Sequence, residues 1–146
     1  MSRKISCAAF VVGIVVDAVT LQARETASKT FTCVNDKFIP IGLSSEGVSV
    51  KEIRFEVEGG IHWNPLRAGA GPQCFVEVKN DSAHPMKLAV AVALFDASGN
   101  LIGATESGHI GSLSPNETGE IKMTFREVKR RFFDARTGQI VLETFE

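Results

Sequence analysis

The sequence predicts an all-β protein, an antiparallel β-sandwich of six to eight strands that a signal segment precedes. Several segments alternate apolar and polar residues, which is typical of strands with one face in a core. Clusters rich in Gly, Pro, Asn and Asp separate these segments at short intervals, as in a sandwich, and no convincing amphipathic helix appears. With 146 residues and ten phenylalanines, the chain has room for one domain with a sizeable core.

The first 23 residues have the pattern of a secretory signal peptide. Two basic residues precede an uncharged run at residues 5–16, and Asp17 ends this run well before the roughly 20 residues that a transmembrane helix needs. Small-residue cleavage sites follow at Ala18 and Ala23. An uncleaved anchor or a buried strand is the alternative interpretation. The pattern favours a secreted or periplasmic protein, which contacts a membrane only through this segment if the segment stays uncleaved.

Residues 24–47 are expected to form either a first strand or a tether to the main domain, which spans residues 48–146. The stretches KTFTCV and KFIPIGL both resemble strands. Pro40 lies in the second stretch, and because proline cannot donate a hydrogen bond to a central ladder, we expect that strand at a sheet edge.

Three segments of the main domain alternate strictly, and each predicts a half-buried strand. The residues expected on one face are Ile53, Phe55 and Val57 in residues 52–58, Cys74, Val76 and Val78 in 73–80, and Ile121, Met123 and Phe125 in 120–126. A closing strand is predicted at residues 139–145, with Ile140 and Leu142 on one side and Val141 and Phe145 on the other.

The segment LAVAVALFDASGNLIGA predicts a central strand followed by a hairpin. The large apolar residues that share one face of the strand are Met86, Leu88, Val90, Val92 and Leu94. Ala89, Ala91 and Ala93 occupy the other face, where a neighbouring loop or another chain has room to pack closely. Asp96 can bond the turn backbone and Gly99 can take a positive φ, so that the chain returns as the partner strand.

The turns between these strands are similar to those of a known family. The residues concerned are Asn80 at one strand end, Asp96 and Gly99 after the next strand, and Leu113, Pro115 and Glu117 in the following turn. With these motifs the chain resembles the immunoglobulin-like FxLYD domains of secreted bacterial proteins over about residues 48–146. It departs from them at Asn116, where glycine is usual, and at Phe95, where tyrosine is common. The resemblance implies an immunoglobulin-like sandwich, and such turn motifs imply little about activity.

Composition and motifs argue against several functions. The net charge of −1 argues against nucleic acid as a partner, because a phosphate backbone requires a basic surface. The sequence lacks the motifs of serine hydrolases, phosphate-binding loops, and zinc or calcium sites. We therefore expect a binding or structural module that is not an enzyme and has no cofactor, with a protein or a cell-envelope component as its partner.

Two kinds of surface are candidates for the contact with that partner. Any open sheet edge can receive an added strand. The Gly/Pro-rich connection at residues 59–72 holds His62, Trp63 and Asn64, and an exposed tryptophan beside an amide can stack on a sugar or anchor a protein. Alternatively, Trp63 folds back and covers one end of the core.

The cysteines leave two alternatives open. Cys7 leaves with the signal segment if that segment is cleaved, and two cysteines remain in an oxidising compartment. Cys33 and Cys74 then form a disulfide, or they stay as two separate thiols packed like small apolar residues.

A small periplasmic protein that handles copper or zinc is the alternative function. Its metal ligands would be His84, Met86 or His62, because soft sulfur and imidazole together suit copper on a β-sandwich. The spacing argues against this alternative, since Met86 begins a strand on its apolar face.

Overall fold

The computed structural model describes residues 25–34, 37–56, 71–108, 110–126 and 131–145. Within these ranges the chain forms nine strands and a single 3₁₀ turn at Phe132–Asp134. The strands are β1 (Glu25–Thr32), β2 (Ile39–Ser45), β3 (Val48–Glu56), β4 (Gln73–Asn80), β5 (Met86–Phe95), β6 (Leu101–Glu106), β7 (Ile110–Leu113), β8 (Thr118–Thr124) and β9 (Thr137–Phe145). The predicted all-β class is confirmed, and the short β7 is a strand that the alternation did not predict.

The strands form two antiparallel sheets that pack as a sandwich. The first sheet has the order β1-β9-β5-β6, with β7 also paired to β5, and the second sheet has the order β2-β3-β4-β8. β5 lies between β9 on one side and β6 and β7 on the other, as predicted for a central strand. β2 contains Pro40 and is an edge strand, also as predicted.

The core lies between the two sheets and contains the residues that the alternation assigned to one face. Every residue so predicted within 52–56, 73–80, 86–95 and 120–126 is buried. Val57 lies outside the described residues. The period of two therefore places the side chains of these strands correctly.

The first and last described strands are neighbours. β1 pairs with β9 along its whole length, whereas β2 pairs with β3 in the other sheet. Residues 24–47, for which a strand or a tether was expected, thus contribute one strand to each sheet. In β9, Ile140 and Leu142 are buried and Val141 is half-buried, and Phe145 at the strand end is buried as well.

The predicted signal segment, with Ala18 and Ala23, lies outside the described residues. Among the residues that the structure does describe, no helix has the length and apolar character needed to cross a membrane.

A cluster of phenylalanines joins the first described strand to the C-terminal part of the domain within the core. The ring centroid of Phe55 lies 6.1 Å from that of Phe31, 6.4 Å from that of Phe125 and 5.7 Å from that of Phe132. Phe31 belongs to β1, and Phe132 belongs to the 3₁₀ turn that precedes β9. The cluster therefore fixes the position of β1 against the C-terminal part of the sandwich.

The hairpin between β5 and β6 has the predicted turn chemistry. Oδ1 of Asp96 accepts hydrogen bonds from the backbone amides of Ser98 and Asn100, both at 2.9 Å. Gly99 has a φ of 79°, which a glycine adopts without strain. This turn returns the chain along β5 and places β6 at the edge of the first sheet.

Candidate functional site

The predicted contact residues His62, Trp63 and Asn64 lie outside the described residues. Their contact with a partner, and the alternative that Trp63 covers the core, both stay predictions.

Of the two alternatives for Cys33 and Cys74, the structure shows two separate thiols, because both cysteines are free. Cys33 follows β1 in the first sheet and is half-buried, whereas Cys74 lies in β4 of the second sheet and is fully buried. Burial raises the pKa of the Cys33 thiol to about 11, and a nearby Arg136 opposes this only in part. Burial raises the pKa of Cys74 to about 12. Neither thiol is therefore activated as a nucleophile, since the thiolate is the reactive form.

His84 and Met86 do not face a common site. Met86 is 3% exposed and belongs to the core, whereas His84 is exposed in the connection between β4 and β5. His62 is not described. Across the described ranges, no three His, Cys, Asp or Glu side chains are grouped so that they could hold a metal ion.

The predicted alanine face of β5 is open to solvent. It forms the floor of a groove of about 440 Å³, which Ala89, Ala91 and Val141 line together with Glu106 and Glu143. The groove agrees with the expectation from the sequence that the alanine face leaves room for close packing. The described residues that line this groove belong to β5, β6 and β9 or, in the case of Gly108, follow β6 directly.

A second groove lies where the open edges of the two sheets come together. It has a volume of about 490 Å³ and is lined by residues 104–107 of β6 and its continuation, and by residues 122–124 and Arg126 at the end of β8. The hydroxyl of Thr105 donates a hydrogen bond to the carbonyl oxygen of Thr124 at 3.1 Å and links the two edges. We call this site the edge groove.

The backbone of β8 directs a row of amides and carbonyls toward this edge. The amide of Asn80 donates to the carbonyl of Glu117, and the amide of Phe125 donates to the carbonyl of Pro72, so the odd-numbered residues of β8 bond to β4. Hydrogen bonding in an antiparallel strand alternates between its two sides. The amides and carbonyls of the even-numbered residues 118–124 therefore point to the open edge, where none of the described strands pairs with β8.

The pairing of β6 is irregular at both of its ends: the register with β5 shifts between Leu94 and Phe95, and regular pairing stops after Glu106. The backbone amide of Val90 donates to the side-chain oxygen of Ser107 at 2.9 Å, where a regular ladder would use a backbone carbonyl. Gly108, which follows, has a φ of 62°. Because the β4–β8 ladder has no register shift and β8 is one residue longer than β6, β8 offers the longer uninterrupted edge of the two.

Charged side chains on the outer face of the second sheet form two rows that end at β8. One row consists of Arg54, Phe75 and Lys122, which lie opposite one another in β3, β4 and β8. The guanidinium of Arg54 lies 4.4 Å from the ring centroid of Phe75, and the ammonium of Lys122 lies 5.6 Å from it. The row is thus held together by cation–π contacts.

The neighbouring row consists of three carboxylates, those of Glu52, Glu77 and Glu120. Like charges directly opposite each other in a sheet are destabilising. Nη2 of Arg54 lies 3.4 Å from Oε2 of Glu120 and compensates one of the three charges. Lys122, by contrast, has no carboxylate within ion-pair distance among the described side chains.

The sequence predicted that an open sheet edge could receive a strand but did not identify which edge. Residues 104–107 and 122–126 meet only because β6 and β8 belong to different sheets that stack at their margins. The signal that was available is the polar outer face of residues 118–124, which identifies an edge only after the strand order is known.

Comparison with protein-family models and with curated proteins finds no match to this chain.

Proposed function

We propose that this protein is an exported, non-enzymatic binding module that receives an extended segment of a partner polypeptide at the edge groove. The observation that carries the proposal is the row of outward backbone groups along β8, which borders a groove of about 490 Å³. An extended segment placed there can satisfy these groups by pairing with β8 as an additional strand.

Small side chains in the groove favour such a segment. Ala104, Thr105, Ser107 and Thr124 are small and make up half of the eight residues that line the groove. They leave room for side chains of the added strand that point inward, toward the space between the two sheet edges. The alternate side chains point outward and meet the charged face of the second sheet.

The non-enzymatic part of the proposal is supported by the surroundings of the reactive groups. The pKa values of the two described thiols are raised to about 11 and about 12 by burial. The carboxyl group of Asp96 accepts hydrogen bonds from its own turn, and that of Asp81 is bonded to Lys79 and Ser49, so both serve local structure. The resemblance to secreted domains and the signal segment at residues 1–23 support export.

The test uses a phage-displayed library of linear peptides as the probe, selected against the purified protein at low concentration. Each selected peptide is synthesised unmodified and with N-methyl groups on alternate backbone amides. We expect one N-methylated register to lose binding, because it cannot donate to the outward carbonyls of β8. Hydrogen exchange should show that the unmodified peptide protects the amides of Thr118, Glu120, Lys122 and Thr124.

A matched pair of variants tests the same point from the side of the protein. Lys122→Pro removes an outward amide and the charge, whereas Lys122→Ala removes the charge alone. We expect about tenfold weaker peptide binding for Lys122→Pro than for Lys122→Ala, the size of one hydrogen bond. Two outcomes would overturn the proposal even if the proline variant fails to fold. The first is that the N-methylated peptides bind as tightly as the unmodified ones, and the second is that the peptide protects amides elsewhere in the protein but none in β8.

A further inference from the structure

The sequence of β8 is complementary to itself when it is reversed. Its seven residues read TGEIKMT, with Ile121 at the centre. Glu120 and Lys122 lie at equal distances on either side of this centre, and so do Thr118 and Thr124. An antiparallel pair of two β8 strands centred on Ile121 therefore sets each glutamate opposite a lysine and each outer threonine opposite a threonine.

This arrangement also aligns the hydrogen-bonding groups. The residues that pair across the axis, Glu120 with Lys122 and Thr118 with Thr124, are the even-numbered ones whose amides and carbonyls point to the open edge. The carbonyl of Thr124 already accepts a hydrogen bond from the Thr105 hydroxyl, and a carbonyl oxygen has a second lone pair for the new bond.

We propose that the strand received at β8 is β8 of a second copy of this chain, related to the first by a two-fold axis at Ile121. The two four-stranded sheets then form one continuous sheet across the axis. This inference rests on the proposed function, since it names the partner that occupies the open edge of β8.

The charge rows of the second sheet favour this partner. The row Arg54, Phe75 and Lys122 of one copy continues directly into the row Glu120, Glu77 and Glu52 of the second copy. Lys122 thereby gains a carboxylate opposite it, which it lacks among the described residues of its own chain. The three carboxylates, which are unfavourable side by side, end against a cationic row of opposite charge.

The two-fold registers next to this one are unfavourable. An axis at Glu120 sets two glutamates opposite each other, and an axis at Lys122 sets two lysines opposite each other. An axis between two residues would place outer side chains opposite inner ones, which exposes apolar residues. The charges therefore favour the register centred on Ile121 over its immediate neighbours, and the two-fold axis closes the interface.

Sedimentation equilibrium of the purified protein tests the proposal. We expect a reversible dimer, and a dissociation constant about tenfold or more higher for both Lys122→Glu and Glu120→Lys, because each reversal turns two attractive pairs into repulsive ones. The double variant Glu120→Lys with Lys122→Glu keeps the net charge and restores complementarity, so its dissociation constant should return to within about threefold of the unmodified protein. Lys87→Glu is the control for Lys122→Glu, because Lys87 is exposed on β5 of the other sheet and the two substitutions change the net charge equally.

Hydrogen exchange at several protein concentrations provides a second readout that requires no variant. We expect the amides of Glu120 and Lys122 to become more protected as the concentration rises. A protein that stays monomeric at all concentrations, or self-association that Lys122→Glu does not weaken, overturns the inference. If the protein is monomeric but library peptides protect the β8 amides, the proposed function stands and only the second copy is rejected. If neither peptides nor a second copy protect these amides, both proposals fail.

Discussion

The ring of Phe31 in β1 lies directly on the backbone of Gly138 in β9. The two residues face each other in the β1–β9 ladder, and a Cβ atom built on Gly138 would lie 2.3 Å from Cζ of Phe31. Phe31 is the one side chain of β1 that is buried, with 7% of its surface exposed. The absence of a side chain at position 138 is thus what allows β1 to place its aromatic ring against the core.

Gly138→Ala is expected to destabilise the protein by displacing this ring. The added methyl group cannot fit below the Phe31 ring, and overpacking of this kind costs about 1–3 kcal/mol. Urea unfolding measures the loss, and hydrogen exchange should show β1 opening more often than β5. Gly111→Ala is the control, because no atom lies within 4 Å of a Cβ at that position. Equal stability of the two variants would contradict the contact.

We expect Asn80→Leu to lower the free energy of unfolding, because the fully buried side chain of Asn80 joins three segments of the chain. Its Nδ2 donates to the carbonyls of His84 and Leu113, both at 2.8 Å, and its Oδ1 accepts from the amide of Ser82. A leucine leaves these partners without bonds, at about 1–3 kcal/mol for each group that stays buried. Thermal and urea unfolding measure the effect.

His84→Ala serves as the control for Asn80, because the structure uses only the backbone carbonyl of His84 in these bonds. We expect its stability to stay within about 0.5 kcal/mol of the unmodified protein, as for most surface substitutions. The same variant tests the copper or zinc alternative: stoichiometric binding of either ion that this variant abolishes would support that function.

The stability that Asp96 provides should disappear in acid. The backbone amide of Asn100 contributes most to lowering the pKa of Asp96 below 3.8, followed by the Asn100 side chain, with a smaller effect from Arg131. A folded-state pKa below the unfolded value means that the contribution is complete above the unfolded pKa and is lost as the pH falls through the folded one. Asp96→Ala should therefore lower the midpoint of thermal unfolding at pH 7, and this effect should shrink as the pH falls through the acid range.

Arg131→Ala is the comparison for Asp96. Its guanidinium lies 3.0 Å from Oδ2 of Asp96 and is more than half exposed, so the pair contributes little in water. We expect a much smaller change in the unfolding midpoint than for Asp96→Ala at pH 7. A larger effect for Arg131→Ala would show that the ion pair, rather than the backbone amides, holds this turn.

Sequence reasoning predicted the strands and their faces because both depend on local patterns. The alternation in residues 73–80 and 86–95 is enough to assign each side chain to the core or the surface. Turn chemistry is equally local: Asn116 has a φ of 62°, and asparagine is the residue that adopts this conformation most readily after glycine. Asparagine can therefore hold this turn in place of glycine.

The edge groove and the thiols depend instead on which strands become neighbours. No local pattern tells that β6 and β8 end their sheets on the same side. The distance between Cys33 and Cys74 likewise depends on the assignment of β1 and β4 to different sheets, so the cysteine count alone did not exclude a bridge.

The thiols provide the last prediction. Because burial raises the pKa of Cys33 to about 11 and that of Cys74 to about 12, the thiolate fraction of both is very small at pH 8. We expect Cys74 in the folded protein to react negligibly with a disulfide reagent such as DTNB, and Cys33 to react slowly because it is only half-buried. Unfolding in urea without reductant should make both thiols reactive at once. In the folded state, the rate at which the thiols react should rise with pH. If the unfolded, unreduced protein showed no reactive thiol at positions 33 and 74, the two cysteines would have to be joined in a disulfide. The arrangement of β1 and β4 would then have to differ from the one described.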